Sequence, residues 1–229
     1  MPTTTALSTD DQLGTRVHLL PQTSRLRALH TAMRDRTAGR DVFRHASESV
    51  FRMLIDTALD LLPHESHTVT TPVGATYDGL RPTPRLLGVS IVRAGESLEG
   101  PLRAACPDIR IGKILIQRDK QTKQPHLYRT WLPADIADNH VLLLEPMLAT
   151  GGTALAALQL LIDQGVPEDN IIFINLTTVP EGISEVCRRY PKVHIVTSSI
   201  EQRLNEDAYM IPGMGDFGDR FFGTDAGAQ

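Results

Sequence analysis

Two different spacings of apolar residues follow one another along the chain. Between residues 23 and 62, apolar side chains recur every three or four positions, which predicts two helices separated by a turn at 37–40. Pro63 is placed to end the second helix. Residues 67–79 are rich in Thr and Val and contain a Gly turn, a pattern that favours an antiparallel hairpin at a sheet edge.

Beyond this hairpin, short apolar runs alternate with stretches of helical spacing. Continuous apolar runs are typical of strands buried on both faces, and their alternation with helices predicts a parallel sheet covered on both sides. The predicted strands are 86–92, 109–116, 140–144, 171–179 and 193–199, and the predicted helices between them are 97–106, 154–164 and 181–190. The glycine-rich residues 205–229 do not continue the alternation.

The composition is that of an ordinary globular protein, with 229 residues of which 41% are hydrophobic and 22% charged. Neither a repeat nor a linker divides the chain, so we expect a polar leader at 1–15 and a single domain at 16–229. The expected fold class is α/β. It consists of a mostly parallel twisted sheet flanked by helices, with an N-terminal helical segment, a β-hairpin arm and a glycine-rich C-terminal tail.

Charge and cysteine content exclude several classes of protein. A net charge of −4 provides no general basic field for nucleic acid. The two cysteines, Cys106 and Cys187, form no CxxC motif and indicate reduced structural thiols. No apolar run approaches the roughly 18 residues that span a membrane, and the first residues carry no signal pattern. These features predict a cytoplasmic protein that binds neither nucleic acid nor membrane.

Residues 140–161 contain the most informative chemistry. A buried apolar run ends in Glu145, the Thr-Gly-Gly-Thr sequence of residues 150–153 follows, and a helix begins at once. Two glycines let the backbone approach an anion closely, so that amides and the helix N-terminus can bind one phosphate. The threonine hydroxyls can add donors, and Thr153 is also suited to cap the helix.

Two features favour a sugar-phosphate loop over a plain turn between a strand and a helix. No Lys follows the glycines, so this is not the GxxxxGK[ST] loop of nucleoside-triphosphate enzymes. The acid at the strand end lies where a sugar diol would be placed if the phosphate were bound to the amides. Open α/β sheets bind their ligands at this carboxyl edge.

The segment LLLEPMLATGGTALAAL closely resembles the phosphoribosyl-pyrophosphate loop of uracil phosphoribosyltransferases, in which a strand precedes Asp-Pro-Met-Leu-Ala-Thr-Gly-Gly-Ser. Further segments resemble that family in the same order. IVRAGESLEG resembles its Arg-Ala-Gly pyrophosphate loop, ILIQRDKQTKQPHLYRTWLPADI its flexible hairpin, and AYMIPGMGDFGDRFFGT its uracil-binding tail. RLRALHTAMRDRTAGRDVFRH and VTTPVGATYDG follow its N-terminal pattern, so the resemblance covers about residues 16 to 224.

This resemblance implies transfer of a phosphoribosyl group from phosphoribosyl pyrophosphate (PRPP) to uracil or a related planar heterocycle, which gives the nucleoside monophosphate (UMP for uracil) and pyrophosphate. It implies PRPP binding by Arg93, Ala94, Gly95, Arg118, Glu145, Pro146, Met147, Leu148, Ala149, Thr150, Gly151, Gly152, Thr153 and Asp216. It implies base binding by Met210, Gly215, Asp216 and Phe217, and catalytic roles for Arg93, Arg118 and Asp216. Arginine suits a diphosphate because its guanidinium donates two parallel hydrogen bonds.

The resemblance also concerns cofactors and partners. It implies Mg²⁺ that arrives with the pyrophosphate of PRPP, without a dedicated metal site in the protein. Its small-molecule partners would be PRPP and a pyrimidine-like base. Because relatives form dimers or larger assemblies, it implies a homodimer or higher homo-oligomer.

Four positions depart from the family pattern. Glu145 replaces Asp and reaches one methylene further. Glu96 follows the Arg-Ala-Gly loop, where an extra carboxylate could repel pyrophosphate or help to hold Mg²⁺. Lys120 replaces Glu after Arg-Asp and reverses a charge. Phe217 replaces Ala in the Gly-Asp-Ala turn; its ring would reshape the base pocket if it points inward, and would leave backbone contacts intact if it points outward.

Two other interpretations remain open. A catalytically silent protein of this fold that binds a nucleotide as a regulator is compatible with Glu96, Lys120 and Phe217, and it predicts binding without turnover. A flavodoxin-like or response-regulator-like binding module would explain the alternation, but it leaves the tail and the arginine-bearing hairpin unexplained. The sequence favours a phosphoribosyltransferase whose acceptor is uracil or another planar heterocycle.

Overall fold

The computed structural model describes residues 16–118 and 125–224, and it describes only the backbone of Arg118. The predicted leader at 1–15 and the position of Lys120 lie outside these ranges. In chain order the strands are β1 (Val17–Leu19), β2 (His64–Thr70), β3 (Thr76–Pro82), β4 (Leu86–Val92), β5 (Arg110–Arg118), β6 (Pro125–Trp131), β7 (His140–Leu144), β8 (Met147–Leu148), β9 (Ile171–Ile174), β10 (Thr177–Thr178), β11 (His194–Thr197), β12 (Ser199–Ile200), β13 (Arg203–Leu204) and β14 (Met210–Ile211).

Six α-helices lie within the described ranges. They are α1 (Ser24–Arg34), α2 (Arg40–Asp60), α3 (Glu99–Ala105), α4 (Gly152–Asp163), α5 (Pro180–Arg189) and α6 (Phe217–Phe222). The predicted helix at 97–106 is divided, because a 3₁₀ segment (Ala94–Leu98) precedes α3. Thr23 caps α1 by accepting a hydrogen bond from the Leu26 amide, as short hydroxyl side chains commonly do.

The main sheet has seven strands in the order β1-β11-β9-β7-β4-β5-β6. Every adjacent pair is parallel except β5 and β6. The mostly parallel α/β sheet predicted from the sequence is therefore confirmed. Short strands β8, β10 and β12 form a second parallel sheet just beyond the carboxyl ends of β7, β9 and β11. Two of the predicted strands, 171–179 and 193–199, are thus each divided in two.

Apolar residues on the two faces of the main sheet belong to two separate cores. In β7, Leu142 and Leu144 contact the core made with α1, α2, α3 and α6, while Val141 and Leu143 contact the core made with α4 and α5. This alternation follows from the pleat, since successive side chains of a strand point to opposite faces. Because one sheet joins both cores, we propose that residues 16–229 form a single domain.

The hairpin of β2 and β3 pairs along its full length, from His64 opposite Pro82 to Thr70 opposite Thr76. Its prediction as an edge hairpin is wrong in one respect. It forms a sheet of its own, and its strands pair only with each other. Nearly every residue of both strands is exposed, so the hairpin projects as an arm.

Candidate active site

Strand β7 continues through residues 145–150 to the left-handed Gly151, whose φ is +84°. Gly151 is the N-cap of α4, so the prediction that Thr153 caps this helix is wrong. Glycine takes the position because a left-handed backbone is accessible to it without steric cost. Gly151 has no side chain that could cap the first turn of α4. Its amides and the positive end of the helix dipole are therefore available to an anion.

The loop after β4 approaches the end of β7 closely. A Cβ added to Gly95 would overlap the carbonyl oxygen of Leu144, the last residue of β7. Strands β4 and β7 are parallel neighbours, so their carboxyl ends meet at one edge of the sheet. This close contact places Arg93 and Ala94 beside Glu145, across one cavity. The peptide bond between Val92 and Arg93 is cis.

A cavity of about 890 Å³ opens at this edge of the sheet. We call it the large cavity. Seven of the predicted site residues line it: Arg93, Ala94, Glu145, Met147, Thr153, Asp216 and Phe217. Gln117, next to Arg118 at the end of β5, also lines it. The structure therefore brings together residues that are separated by more than 100 positions in the sequence.

A second, small cavity of about 270 Å³ adjoins the first. The C-terminal tail forms most of it, through Met210, Gly213, Met214 and Gly215, with Ala149 from the loop before α4. Three residues line both cavities: Met147, Asp216 and Phe217. A ligand with a large polar part and a small planar part can therefore extend from one cavity to the other past these three residues.

Some predicted PRPP-binding residues line neither cavity. Pro146 and Leu148 are buried, and Gly95 packs closely against the last residue of β7. Residues 150–152 form the turn into α4 without lining either cavity. Arg118 is the last residue of β5, beside the large cavity, and the structure describes its backbone without its side chain.

Glu145 is a half-buried carboxyl group at the end of β7. Loss of hydration raises its pKa to about 8, and the negative charge of Asp216 contributes in the same direction. A hydrogen bond from the Met147 amide opposes this shift. The two carboxyl groups thus face one cavity, where their mutual repulsion favours a positively charged ligand group or a hydrogen-bond donor.

Arg93 is held by two residues that sequence analysis did not single out. Its Nη2 lies 2.7 Å from Asp219 Oδ1, and its Nη1 donates to Thr224 Oγ1 at 2.7 Å. The Thr224 hydroxyl in turn donates to Asp219 Oδ1 at 2.6 Å. The hydrogen bonds from Thr224 and Arg93 lower the pKa of Asp219. Asp219 and Thr224 belong to the tail segment GDFGDRFFGT. The resemblance of this segment to the family is the sequence feature that could have identified them as site residues.

Asp216 has a structural contact in addition to its place in both cavities. It is the N-cap of α6, where its Oδ1 accepts a hydrogen bond from the Asp219 amide at 2.9 Å. An N-cap aspartate is also favoured by the positive end of the helix dipole. The carboxylate is thereby fixed at the boundary between the two cavities.

Glu96, the extra acid after the Arg-Ala-Gly loop, is paired with a cation. Lys113 Nζ lies 2.5 Å from Glu96 Oε1 and 3.2 Å from Glu99 Oε1. The hydrogen bonds that Lys113 donates to Glu96 and, to a smaller extent, to Glu99 raise the pKa of Lys113. Lys113 was not a predicted site residue. Its charge offsets that of Glu96, so repulsion of a diphosphate by this acid is reduced.

Phe217 is 2% exposed, and its ring packs within the core beside α2. The ring centroid lies 5.4 Å from that of Phe43, 5.9 Å from that of Phe51 and 5.5 Å from that of Phe221. Tilted and stacked rings at such distances are favourable aromatic contacts. The aromatic cluster anchors the ring, while the residue still contributes to the wall of both cavities.

Neither a metal cluster nor a membrane span occurs in the part of the chain that the structure describes. Within it, no three His, Cys, Asp or Glu side chains are grouped so that they could hold a metal ion. None of its helices combines the length and the apolar character needed to cross a bilayer.

Comparisons with known proteins agree with this geometry. The family model described as uracil phosphoribosyltransferase matches residues 20–224. Uracil phosphoribosyltransferase of Dictyostelium discoideum is 49% identical, over 91% of this chain and 97% of its own length. Uridine kinase-like protein 3 of Arabidopsis thaliana is 46% identical over 91% of this chain, which spans 45% of that longer protein.

Among solved structures, the AQ2163 protein of Aquifex aeolicus superposes with a TM-score of 0.81 and 26% identity, covering 92% of this chain and 99% of that protein. The family match and the identity to the Dictyostelium protein both extend over nearly the whole chain. The loop after β4, the loop before α4 and the glycine-rich tail all lie within the matched residues. This chain therefore belongs to the uracil phosphoribosyltransferase family.

Proposed function

We propose that this protein transfers the phosphoribosyl group of PRPP to uracil, with UMP and pyrophosphate as products, as in pyrimidine salvage. The observation that carries the proposal is the pair of adjoining cavities. The large cavity has the size and polar lining for a sugar with a phosphate and a diphosphate, and the small one has the size of a single planar base. The shared residues lie where the two substrates would meet.

In this proposal the first turn of α4 binds the 5-phosphate. The left-handed Gly151 and the N-terminal amides of α4 support this role. Glu145 binds the ribose hydroxyls, for which a carboxyl group at the strand end is suited as a hydrogen-bond partner. Pro146 and Leu148, two further members of the predicted loop, are buried.

Arg93 and Arg118 bind the pyrophosphate. Arg93 lines the large cavity, and its guanidinium is oriented by Asp219 and Thr224. Arginine is suited to a leaving diphosphate because its charge persists through the reaction. Stabilising the charge that develops on this group is a major source of catalysis in such displacements.

The small cavity binds the base. Met210 and Gly215 offer backbone groups, and a cyclic imide presents alternating donors and acceptors that suit a backbone edge. Asp216 lies at the boundary, beside both the base and the reacting ribose carbon. The reaction breaks the bond between this carbon and pyrophosphate, and it forms a bond from the carbon to a ring nitrogen of the base. The proton of that nitrogen passes to the released pyrophosphate or to water. Positive charge develops on the ribose, and the carboxylate of Asp216 at the boundary of the two cavities stabilises it.

Mg²⁺ enters with PRPP in this proposal. The carboxyl groups of Glu145 and Asp216 line the large cavity together with Glu96, which is paired with Lys113. Within the described residues, no three His, Cys, Asp or Glu side chains are grouped so that they could hold a metal ion. This donor set fits Mg²⁺, which is bound through one or two carboxylates together with substrate phosphates and water. When bound, the ion neutralises charge on the leaving diphosphate.

Two sequence features that favoured a silent regulator, Glu96 and Phe217, have structural contacts that are compatible with catalysis. Glu96 is paired with Lys113, and the Phe217 ring packs with the core aromatics instead of standing free in the small cavity. We also propose a cytoplasmic location, which the free thiols Cys106 and Cys187 favour. In this proposal the protein binds the small molecules PRPP and a pyrimidine-like base, and it binds neither nucleic acid nor membrane.

The test is an assay with Mg²⁺, PRPP and a panel of uracil, cytosine, thymine, orotate and other small heterocycles, in which pyrophosphate and nucleotide are both quantified. We expect uracil to give UMP with one pyrophosphate per nucleotide, faster than any other base. Turnover with a different heterocycle alone would retain the reaction class and change the acceptor. PRPP binding without product from any base would overturn the proposal in favour of a regulator.

We further propose that the protein is a homodimer or larger homo-oligomer, in which the β2–β3 arm packs on a second copy. Tyr77 is 63% exposed and Leu80 71% exposed, and Val69 lies opposite Tyr77 in the arm. A lone two-stranded hairpin is marginally stable in water, so exposed apolar residues on it favour a covering partner. Light scattering should give at least twice the 25.2 kDa mass, and a variant with Tyr77→Ser and Leu80→Ser should be smaller.

A further inference from the structure

Glu201 is a buried carboxylate outside both cavities. The residue is 3% exposed, and it follows β12. It accepts hydrogen bonds from Arg34 Nη2 (2.5 Å), Arg34 Nη1 (2.8 Å), Thr177 Oγ1 (2.8 Å), Ser199 Oγ (3.0 Å) and the Gly213 amide (2.9 Å). A buried charge requires such compensation, because removing a carboxylate from water is otherwise costly.

Arg34 and Glu201 together hold both backbone groups of Gly213. Its amide donates to Glu201 Oε2, and its carbonyl accepts from Arg34 Nη1 at 3.0 Å. Gly213 has a φ of +64°, and a Cβ there would overlap the carbonyl oxygen of Met210. The ion pair thus fixes a tight turn that has no room for a side chain of its own.

This turn lies in the wall of the small cavity. Gly213 lines it, and so do Met210 and Gly215 on either side. Those two residues are the ones proposed to offer backbone groups to the base. Neither Arg34 nor Glu201 lines either cavity. Any effect of the ion pair on substrates must therefore act through the position of residues 210–215.

A second contact ties the same segment to the end of α1. Arg220 Nη1 donates to the carbonyl of Met214 at 2.7 Å and to that of Met33 at 2.5 Å. Met33 directly precedes Arg34, so two cations join the end of α1 to adjacent residues of the tail. The large cavity has no comparable connection to α1 among the described contacts.

We propose that Arg34 and Glu201 are positioning residues for the acceptor base: their ion pair fixes Gly213 and thereby sets the affinity for the base, while the affinity for PRPP is independent of it. The inference rests on the proposed function. A buried ion pair by itself does not indicate a purely stabilising role. Proteins in which such a pair is replaced by apolar residues of similar volume are often as stable as the original. Apolar residues could not bind both backbone groups of Gly213.

The experiment compares Arg34→Lys and Glu201→Gln with the wild-type protein. Lys keeps the charge but cannot bond the carboxylate and the Gly213 carbonyl with one rigid fork. Gln keeps the volume and loses the charge. In steady-state assays we expect the KM for uracil to rise about tenfold or more, as loss of a charge-assisted hydrogen bond implies. The KM for PRPP should stay within about twofold, a change of less than 0.5 kcal/mol.

Two measurements separate positioning from a loss of folded protein. PRPP binding measured by calorimetry reports the fraction of each variant with an intact large cavity. Glu185→Gln is the matched control, because it breaks the exposed ion pair of Glu185 with Arg188 on α5. We expect both kinetic constants of this control to equal those of the wild type.

Three outcomes would overturn the inference. One is an unchanged KM for uracil in both variants, and another is an equal rise of both KM values. The third is a fall in kcat that is proportional to the fall in the fraction of protein that binds PRPP, while the KM for uracil and the KM for PRPP are both unchanged. A wild-type protein that converts no base fails at an earlier step, which overturns the proposed function and this inference with it.

Discussion

The guanidinium of Arg93 lies 2.7 Å from the carboxylate of Asp219, and this ion pair joins the loop after β4 to helix α6. Thr224 donates to the same carboxylate and accepts from Arg93. The residue proposed to bind pyrophosphate is therefore oriented by the tail that forms the small cavity. Both partners remain partly exposed, so water screens the pair and its contribution to folding stability is small.

Asp219→Ala should lower activity without lowering stability. Without its carboxylate partner, Arg93 loses a fixed orientation, and we expect kcat/KM for PRPP to fall about tenfold. The free energy of unfolding should change by less than about 1 kcal/mol, as for other exposed pairs. Steady-state kinetics and urea unfolding measure the two quantities. A kcat/KM equal to that of the wild type would contradict the assigned orientation of Arg93.

Gly95→Ala should damage the active site through a backbone collision. The new Cβ would overlap the Leu144 carbonyl, which no side-chain rotation can relieve. We expect the free energy of unfolding to fall by about 2–4 kcal/mol. We also expect PRPP binding, measured by calorimetry, to be lost. Gly100→Ala is the control, since no atom lies within 4 Å of its added Cβ and it lies within α3. That variant should gain about 0.5–1 kcal/mol from helix propensity; similar losses in both variants would refute the prediction.

Glu145→Gln should change how the stability of the ligand-free protein depends on pH. The pKa of Glu145 is raised from 4.5 to about 8, so its folded form resists ionisation. The contribution of Glu145 to wild-type stability therefore falls as pH rises from about 5 to about 8, because this carboxyl ionises first in the unfolded state. The Gln variant lacks this loss, and its advantage should grow by on the order of 2 kcal/mol over that window. Urea unfolding at both pH values tests this, and parallel profiles would contradict it.

Phe217→Ala should destabilise the fold strongly, because its ring packs against Phe43, Phe51 and Phe221. Removal of a buried ring costs about 3–5 kcal/mol through lost transfer energy and a cavity. Phe222→Ala, on the same helix and half-buried, should cost about 1–2 kcal/mol. Chemical denaturation compares the two. Equal losses would mean that the Phe217 ring is not part of the core.

The sequence predicted those features that depend on neighbours along the chain. The strands β4, β5, β7, β9 and β11 followed from apolar runs, whereas α4, predicted at 154–164, begins two residues earlier, at Gly152. The N-cap was assigned to the wrong residue because a threonine hydroxyl and a left-handed glycine are both suitable helix starts. The direction of the Phe217 ring stayed undecided, since spacing indicates burial but does not identify the cavity or core that a side chain faces.

The sequence by itself therefore determined the alternation of strands and helices, the phosphate-type loop and, through four ordered motifs, the family. Only the tertiary structure decided which distant residues meet. Arg93 and Asp219 are 126 positions apart, and Arg34 and Glu201 are 167 apart. Periodicity along a chain reports which side of each element is buried. The partner of a side chain depends on strand order and on how the tail folds back over the sheet, and these are set by packing of the whole core.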